Sequence, residues 1–315
     1  MQGKADMRAH IGVVTWNRLE LTRLCLESLL EKTPPEYTLT VVDNGSTDGT
    51  PLLLQAMAAR HPHMRVHLLA RNMGVAVASN LAWDDAAQAD FFVKLDNDVE
   101  IRDALWLQRL MAMLAANPCL GMAGYALCPW HTGSPLPLAD GLVAQETPCC
   151  NGACVCIPRG THRELGFWNE AYGRYGYEDL EYSWRARRAG YRLAYAPHRG
   201  AVVHHGSDPR RLDMEQEKIK LTSRTAELSG TKAYLLHLLL FEKGVLPLKM
   251  GRKYLPVRGA KGLSFALNPA HRPVQKLLAR MAKSIDVNDA GELSRLDLRA
   301  WQGGEPPQHP ERKTL

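Results

Sequence analysis

The chain has 315 residues, of which 45% are hydrophobic and 23% charged, as in a globular protein with one large domain, or a domain and an appendage. No apolar run approaches the roughly 18–20 residues that span a bilayer, and residues 1–10 lack the apolar core of a signal peptide, so a cytoplasmic protein is expected. The net charge of +6 is carried by the C-terminal part, because 14 basic residues oppose 7 acidic ones from residue 241 onward. This excess favours an anionic membrane surface as a partner over nucleic acid, since no nucleic-acid module is present.

Four apolar segments of strand length alternate with helical patterns in the first hundred residues. The strands are predicted at residues 10–15, 37–42, 64–69 and 91–95. Such alternation is typical of βαβ units with right-handed crossovers. It predicts an α/β fold with a Rossmann-like, mostly parallel sheet flanked by helices.

A polar residue stands at or just beyond the end of each predicted strand. These residues are Thr15, Asp43, Asn72 and Asp96. Because open parallel sheets bind ligands outside the carboxyl ends of their strands, this edge is the expected binding site. The first strand-to-helix turn lacks Gly-x-Gly-x-x-Gly, and there is no P-loop, so a dinucleotide fold and a Gly-rich phosphate loop are not expected.

Asp96 and Asp98 are the strongest candidates for chemistry. In an Asp-x-Asp pair at a strand end both side chains point the same way, and the two carboxylates repel unless a cation or proton lies between them. A hard divalent ion with open positions for phosphate oxygens suits such a pair. His204 and His205, at the end of a strand predicted at residues 199–205, offer a nitrogen ligand to the same ion.

Residues 175–191 predict a helix with acidic residues at its start, basic residues at its end, and a terminating Gly190. Glu178 and Asp179, at its start, either cap the helix or take part in chemistry. Residues 125–141 are expected to form an irregular loop over a site, and residues 148–158 are expected to form a strand. Ser207-Asp208-Pro209 predicts a further helix reaching about residue 227, followed by an apolar patch at residues 234–241.

From about residue 10 to residue 207, the chain resembles an inverting family-2 glycosyltransferase of the GT-A fold. Several ordered motifs carry the resemblance: Thr15-Trp16-Asn17-Arg18, residues 41–50, Arg71-Asn72-Met73-Gly74, Leu95-Asp96-Asn97-Asp98, Gly176-Tyr177-Glu178-Asp179 and His204-His205-Gly206-Ser207.

The resemblance implies a role for each matching residue. The implied nucleotide pocket consists of Thr15, Asn17, Arg18, Asp43, Arg71, Asn72, Gly74, Asp96 and Asn97. Within it, Asp43 is expected to contact the nucleobase. The implied ligands of Mn²⁺ or Mg²⁺ are Asp98, Asp96 and His204, with His204 preferred over His205 because Gly206-Ser207 follows it. Asp179 is the implied general base, with Glu178 as the alternative. Trp168, as a stacking platform unless it lies in the core, and Glu170 are the expected acceptor-binding residues.

These expectations divide the chain into three parts. Residues 1–207 form a GT-A catalytic domain, with a nucleotide-binding half at about 10–98 and an acceptor half at about 99–207. Residues 208–302 form a helical, basic extension, and residues 303–315 a disordered tail.

The expected function is metal-dependent transfer of a hexose or deoxyhexose, with inversion, from a nucleotide sugar to an acceptor hydroxyl. UDP is the favoured donor nucleotide, with dTDP and GDP as alternatives, and the acceptor is a saccharide or lipid-linked saccharide of cell-surface polysaccharide or glycolipid synthesis. The protein is expected to be peripheral at the inner face of the membrane. The alternatives are a nucleotidyltransferase, which would need a Gly-rich, Lys-containing phosphate loop, and a nucleotide-sugar-binding protein without transfer activity.

Overall fold

The computed structural model describes residues 7–34, 36–86, 88–128, 131–207, 230–259 and 262–271, and of residues 230–233 only the backbone. The helix predicted from Ser207-Asp208-Pro209 to residue 227 and the tail at residues 303–315 lie outside this part, as does the stretch from residue 272 to 302. The strands are β1 (Ala9–Thr15), β2 (Tyr37–Asp43), β3 (Met64–Leu68), β4 (Phe91–Asp96), β5 (Val99–Ile101), β6 (Leu120–Gly124), β7 (Ser134–Pro137), β8 (Val143–Glu146), β9 (Cys154–Pro158), β10 (Arg192–Tyr195), β11 (Val202–His204), β12 (Tyr254–Gly259) and β13 (Gly262–Leu267). The α-helices are α1 (Leu19–Lys32), α2 (Thr50–Arg60), α3 (Val75–Asp84), α4 (Trp106–Ala116), α5 (Arg159–Leu165), α6 (Glu178–Arg188) and α7 (Gly230–Glu242).

A nine-stranded sheet in the order β3-β2-β1-β4-β9-β6-β10-β8-β7 forms the centre of the fold. The first four strands in this order pair in parallel, which confirms the predicted βαβ arrangement. Thr15 lies opposite Asp43, and Val14 lies opposite Asp96. The carboxyl ends of β1, β2 and β4 therefore lie at one level and bring their terminal polar residues to one edge.

Helices cover both faces of this sheet, which explains why its central strands are continuous apolar runs. Along β4, Phe91, Val93 and Leu95 point into a core shared with α1, α2 and α4. Phe92 points to the opposite face and packs with α3, α5 and α6. Lys94 is the one charged side chain within the buried stretch of β4 that precedes Asp96.

A small second sheet positions the histidine region. Strands β5 and β11 pair antiparallel, with His204 opposite Val99. The amide of His205 also donates to the carbonyl oxygen of Asp98. These contacts fix the end of β11 beside the Asp-Asn-Asp turn, although the two segments lie about a hundred residues apart in the chain.

The acceptor half differs from the expected pattern at two places. Residues 125–141, expected to be irregular, contain β7, which pairs with β8 at the edge of the large sheet. The strand predicted at residues 148–158 is formed only by β9, because Cys150 donates its amide to the Ser183 hydroxyl instead of to a neighbouring strand.

The extension beyond residue 207, expected to be helical, contains both a helix and a hairpin in its described part. Helix α7 is followed by β12 and β13, which pair antiparallel with Gly259 opposite Gly262 at the turn. Leu263 and Phe265 from β13 pack against a cluster that includes Val42 and Leu81. Among the helices within the described residues, none combines the length and apolar character that a membrane crossing requires.

Candidate active site

The loop after β1 is tied to the loop after β2. Asn17 and Arg18 have left-handed backbone conformations, with φ of 55° and 62°. The Asn17 amide donates to Ser46 Oγ at 2.7 Å, and the Thr47 amide donates to Asn17 Oδ1 at 2.8 Å. These bonds hold the turn that presents Arg18 to the carboxyl edge of the sheet.

Asp43, the last residue of β2, is hydrogen-bonded to the loop that follows this strand. Its carboxylate accepts hydrogen bonds from the Ser46 amide, at 3.0 Å, and from the Ser46 hydroxyl. Burial raises the pKa of Asp43, and the bonds from Ser46 offset only part of this effect. Asp43 therefore organises the loop whose polar groups face the edge of the sheet.

Asn72 and its neighbours form a compact turn after β3. Asn72 Oδ1 accepts from Asn44 Nδ2 at 3.1 Å and from the Gly74 amide at 2.9 Å. Gly74 has φ of 97°, and a Cβ atom there would overlap the carbonyl oxygen of Gly173. The turn thus needs glycine at residue 74 and packs against the segment that leads to α6, while the side chain of Arg71 remains exposed.

Thr15 and Asn97, which are expected to bind the nucleotide, both have buried side chains. Asn97 Nδ2 donates to Thr15 Oγ1 at 3.1 Å and to Thr22 Oγ1 at 2.9 Å, and all three residues are buried. Their side chains satisfy one another and hold β1, α1 and the turn after β4 together. The sequence correctly predicted that Thr15 and Asn97 lie at the carboxyl edge of the sheet. Hydrophobic periodicity does not reveal whether a polar side chain at that edge faces the core or solvent.

Asp96, Asp98 and His204 form a cluster at the end of β4. Each offers one ligand atom, and these atoms all lie within 4.8 Å of one another. Two carboxylates and one imidazole suit a hard or borderline divalent ion such as Mn²⁺. A Cβ atom at Gly206 would overlap Asp98 Oδ2 and lie 2.9 Å from His204 Nε2, so glycine is needed beside the cluster. The donor set and this space both fit a metal ion.

Within this cluster, His204 and Asp98 are paired with each other. His204 Nε2 lies 3.0 Å from Asp98 Oδ1, and Arg18 Nη1 donates to Asp98 Oδ2 at 3.2 Å. Burial lowers the pKa of His204, but hydrogen bonds with Asp98 and Cys128 outweigh it and raise the pKa to about 9. His205 lies apart from the cluster, because its Nε2 is 2.9 Å from Glu100 Oε2. Of the two histidines, His204 is therefore the one placed to ligate.

Lys94 is a functional candidate that sequence reasoning missed. Its side chain is only 2% exposed, and Nζ donates to Asp96 Oδ1 at 2.6 Å and to the Gly152 carbonyl at 2.7 Å. Burial lowers the pKa of Lys94, but Asp96 and Glu178 outweigh this effect and raise it, so the ammonium group stays charged. The signal available in the sequence was a lysine inside an otherwise apolar buried strand, two residues before Asp96.

Glu178 and Asp179 begin α6 on the other side of Gly152. Glu178 is 7% exposed, and burial together with the neighbouring Asp179 raises its pKa to about 7 against the opposing effect of Lys94. Asp179 is half-buried, and its Oδ2 accepts from the Gly152 amide at 3.0 Å. Asp179 is thus the more accessible carboxylate of the pair and is held in a defined orientation.

Trp168 and Glu170, which are expected to bind the acceptor, are both buried in this structure, so neither side chain presents a surface to an acceptor. Trp168 is fully buried between Trp83 and Tyr182. Glu170 is 4% exposed and accepts bonds from Asn80, the Arg252 guanidinium, and the backbone amides of residues 253 and 254. Trp168 is a core aromatic, and Glu170 anchors the C-terminal extension.

Comparisons with known proteins agree with this geometry. The model of the family described as Glycosyl transferase family 2 matches residues 10–126, from β1 to just beyond β6. A protein of Bacillus subtilis (strain 168), TuaG, whose name assigns it to teichuronic acid biosynthesis as a glycosyltransferase, is 29% identical over 128 residues. That match covers 40% of this chain and 50% of the relative, so the chain matches about half the length of its curated relative.

Two solved structures share the fold. The crystal structure of GalNAc-T7 with UDP, GalNAc and Mn²⁺ superposes with a TM-score of 0.56 at 15% identity, over 75% of this chain and 49% of that one. The crystal structure of S. aureus TarS gives 0.51 at 18% identity, over 75% and 43% of the two chains. The expected GT-A fold and the resemblance to family 2 are both confirmed.

Proposed function

We propose that this chain, whose residues 10–126 match glycosyltransferase family 2 on a GT-A fold, transfers a sugar from a nucleotide-sugar donor to an acceptor hydroxyl. The observation that carries the proposal is the Asp96–Asp98–His204 cluster, within 4.8 Å at the carboxyl end of β4, on the same sheet edge as the Asp43 and Asn72 loops. UDP is the favoured nucleotide, in line with the solved relative that carries UDP and Mn²⁺. The sugar is taken to be a hexose or deoxyhexose.

The donor side of the proposal assigns the diphosphate to the metal cluster. Asp96, Asp98 and His204 would hold a divalent cation, which would neutralise the charge that develops on the leaving diphosphate. Arg18, on its rigid left-handed turn, is placed to add a second positive charge, because its guanidinium already reaches Asp98. Asp43, Asn17 and Asn72 hold the loops that would enclose the nucleoside, with Arg71 and Gly74 at their rim.

The acceptor side of the proposal assigns the general base to Asp179. An acceptor hydroxyl must lose its proton as its oxygen attacks the anomeric carbon, and a positioned carboxylate can accept that proton. Asp179 is half-buried and oriented by the Gly152 amide, whereas Glu178 is buried. One base and a single displacement invert the anomeric centre. Glu178 remains the alternative base.

The domain organisation follows the same assignments. We assign donor binding to residues of about 10–98 and acceptor binding to about 99–207. Support for a catalytic unit that also includes the described extension comes from the anchoring of Arg252 by Glu170 and Asp84. The extension is thus an integral part of the folded unit in this proposal.

The acceptor is proposed to be a saccharide or lipid-linked saccharide of cell-surface polysaccharide or glycolipid synthesis, reached from the cytoplasmic face of an anionic membrane. Lys243, Lys249 and Arg258 are exposed in the extension, whereas Arg252 is buried in ion pairs. Each exposed basic residue near an anionic surface contributes about 1 kcal/mol, screened by salt. Sedimentation with anionic and neutral vesicles at low and high salt tests this part. Absence of binding to anionic vesicles at low salt would contradict it.

A panel of nucleotide sugars and nucleotides, screened by thermal unfolding with Mn²⁺ and with chelator, tests the donor assignment. A ligand present at a hundred times its Kd stabilises the folded state by about 2.7 kcal/mol. We expect a rise in melting temperature with UDP or a UDP-sugar only when Mn²⁺ is present. If no nucleotide in the panel stabilises the protein with Mn²⁺, the donor assignment is wrong.

A further inference from the structure

Helix α7 is fixed to the catalytic domain by three aromatic contacts. Phe241 packs on Trp184 with ring centroids 5.7 Å apart, and His237 packs edge-on against Tyr172 at 5.0 Å. At the N-terminal end of the helix, Tyr234 stacks on Tyr177 at 5.5 Å with an angle of 28° between the rings. The helix therefore has a defined position beside the start of α6.

The Tyr234–Tyr177 stack differs from the other two contacts in its exposure. His237 and Phe241 are buried and belong to the packing between α7 and the domain. Tyr234 and Tyr177 are each only half-buried, so part of this aromatic pair faces solvent. Buried Leu236 and Leu240 on the same helix already supply its apolar anchoring.

This half-exposed pair lies next to the proposed base. Tyr177, in a left-handed conformation with φ of 70°, immediately precedes α6 and stands two residues before Asp179. Because Tyr234 stacks on Tyr177, it lies on the side of the domain where α6 begins with Glu178 and Asp179.

The geometry points to an acceptor subsite in which Tyr234 and Tyr177 bind a pyranose ring and present one of its hydroxyls to Asp179. A pyranose has an apolar face of C–H groups and a rim of hydroxyls, which suits an aromatic surface with polar tips beside a carboxylate. This inference deepens the proposed function and rests on it. It also gives α7 a direct role in recognition, since Tyr234 is supplied by the extension and lies outside residues 10–126.

Saturation-transfer NMR tests the subsite without knowledge of the natural acceptor. The probes are the methyl glycosides of glucose, galactose, N-acetylglucosamine and rhamnose, each added to the full chain with UDP and Mn²⁺, and the acyclic polyol sorbitol is the negative control. At least one glycoside is expected to show transfer to its ring C–H protons. Tyr234→Ala is expected to weaken its binding about fivefold, which corresponds to about 1 kcal/mol.

Three further variants separate ring stacking from folding. Tyr234→Phe keeps the ring and is expected to retain most of the affinity, whereas Tyr234→Leu keeps apolar bulk without a ring and is expected to behave like Tyr234→Ala. Leu239→Ala, a half-buried position on the same helix, is the matched control and is expected to bind as the wild type does. Circular dichroism melting on all variants verifies that α7 stays folded.

Two results would overturn the inference: no saturation transfer to any glycoside with the wild type, or equal glycoside affinity in wild type, Tyr234→Ala and Tyr234→Leu. Calorimetric titration of UDP with Mn²⁺ on the same samples reports separately on the proposed function. Absence of UDP binding would refute the donor assignment while the glycoside results still decide whether the tyrosine subsite exists.

Discussion

The ammonium group of Lys94 lies 2.6 Å from Asp96 Oδ1, inside the core strand that ends in the Asp96–Asp98–His204 cluster. The same ammonium group donates to the carbonyl oxygen of Gly152, whose amide in turn donates to Asp179. Lys94 and Gly152 thus connect Asp96, on the proposed donor side of the site, to Asp179, the proposed general base. Gly152 also leaves little room between them, since a Cβ atom there would lie 3.1 Å from Asp179 Cβ and 3.2 Å from Lys94 Nζ.

Substitution of Lys94 tests whether its hydrogen bonds hold Asp96 and Asp179 in the positions that transfer requires. In Lys94→Met the Asp96 carboxylate and the Gly152 carbonyl lose their shared donor, and a misplacement of about 1 Å can cost about a hundredfold in rate. We expect kcat to fall at least about tenfold in steady-state transfer assays. Arg60→Met, which removes an exposed basic residue on α2, serves as the control. A Lys94→Met enzyme with unchanged kcat would limit Lys94 to a packing role.

Substitution of Asp179 tests the assignment of the base. Asp179→Asn removes the proton acceptor but keeps its size, and loss of a general base costs about a hundredfold or more in turnover. We expect kcat to fall to that extent while the Kd for UDP with Mn²⁺ stays within about twofold. Glu178→Gln is the comparison variant. If it loses turnover and Asp179→Asn does not, the base is Glu178.

Substitution of Glu170 tests the correction made to its role. Glu170→Ala leaves the buried Arg252 guanidinium with Asp84 as its remaining carboxylate and removes the acceptor of two backbone amides. Breaking a buried ion pair typically costs about 3–5 kcal/mol. We expect a loss of about that size in the free energy of unfolding, measured by urea denaturation, whereas Arg258→Met at the exposed end of the hairpin should have little effect. A stable Glu170→Ala variant with weakened acceptor binding would restore the role predicted from the sequence.

His10 provides a prediction of how stability depends on pH. Burial lowers the pKa of His10 to about 4, from 6.5, and hydrogen bonding to the Ala82 backbone opposes this only in part. Between pH 6.5 and 4 the unfolded chain binds a proton that the folded state does not, so stability falls as the pH falls through this window. We expect His10→Gln to show a smaller decrease in the free energy of unfolding than the wild type between pH 7 and 4.5. Parallel pH profiles for the two proteins would contradict this attribution.

Much of the donor half could be predicted from the sequence because its signals are local. Strand-length apolar runs that end at Thr15, Asp43 and Asp96 predict the parallel arrangement of the strands. They also predict the edge of the sheet where the polar residues lie. The motif residues were correctly expected near this edge. The inward orientation of Thr15 and Asn97 was not predictable, because it depends on Thr22, a buried partner on α1.

The acceptor half was harder to predict because its contacts join segments distant in the chain. Glu170 is bonded to residues 252–254, and Tyr177 stacks on Tyr234, across separations that no local pattern encodes. Trp168 was open to two interpretations, a platform or a core residue, and only its packing between Trp83 and Tyr182 decides for the core. The role of Lys94 was not predicted, because its partner Gly152 is distant in the chain and its position within a strand does not reveal this contact.

We propose that Asp96, Asp98 and His204 hold a divalent cation required for sugar transfer, and a chelation experiment tests this role. Release of UDP from UDP-sugars would be followed with Mn²⁺, with excess chelator, and with Mn²⁺ restored, for wild type, Asp98→Ala and Glu27→Gln, an exposed position on α1. We expect activity in the wild type and in Glu27→Gln that chelator abolishes and Mn²⁺ restores, and none above background in Asp98→Ala. Full wild-type activity in excess chelator, or an Asp98→Ala variant as active as the wild type, would contradict the account.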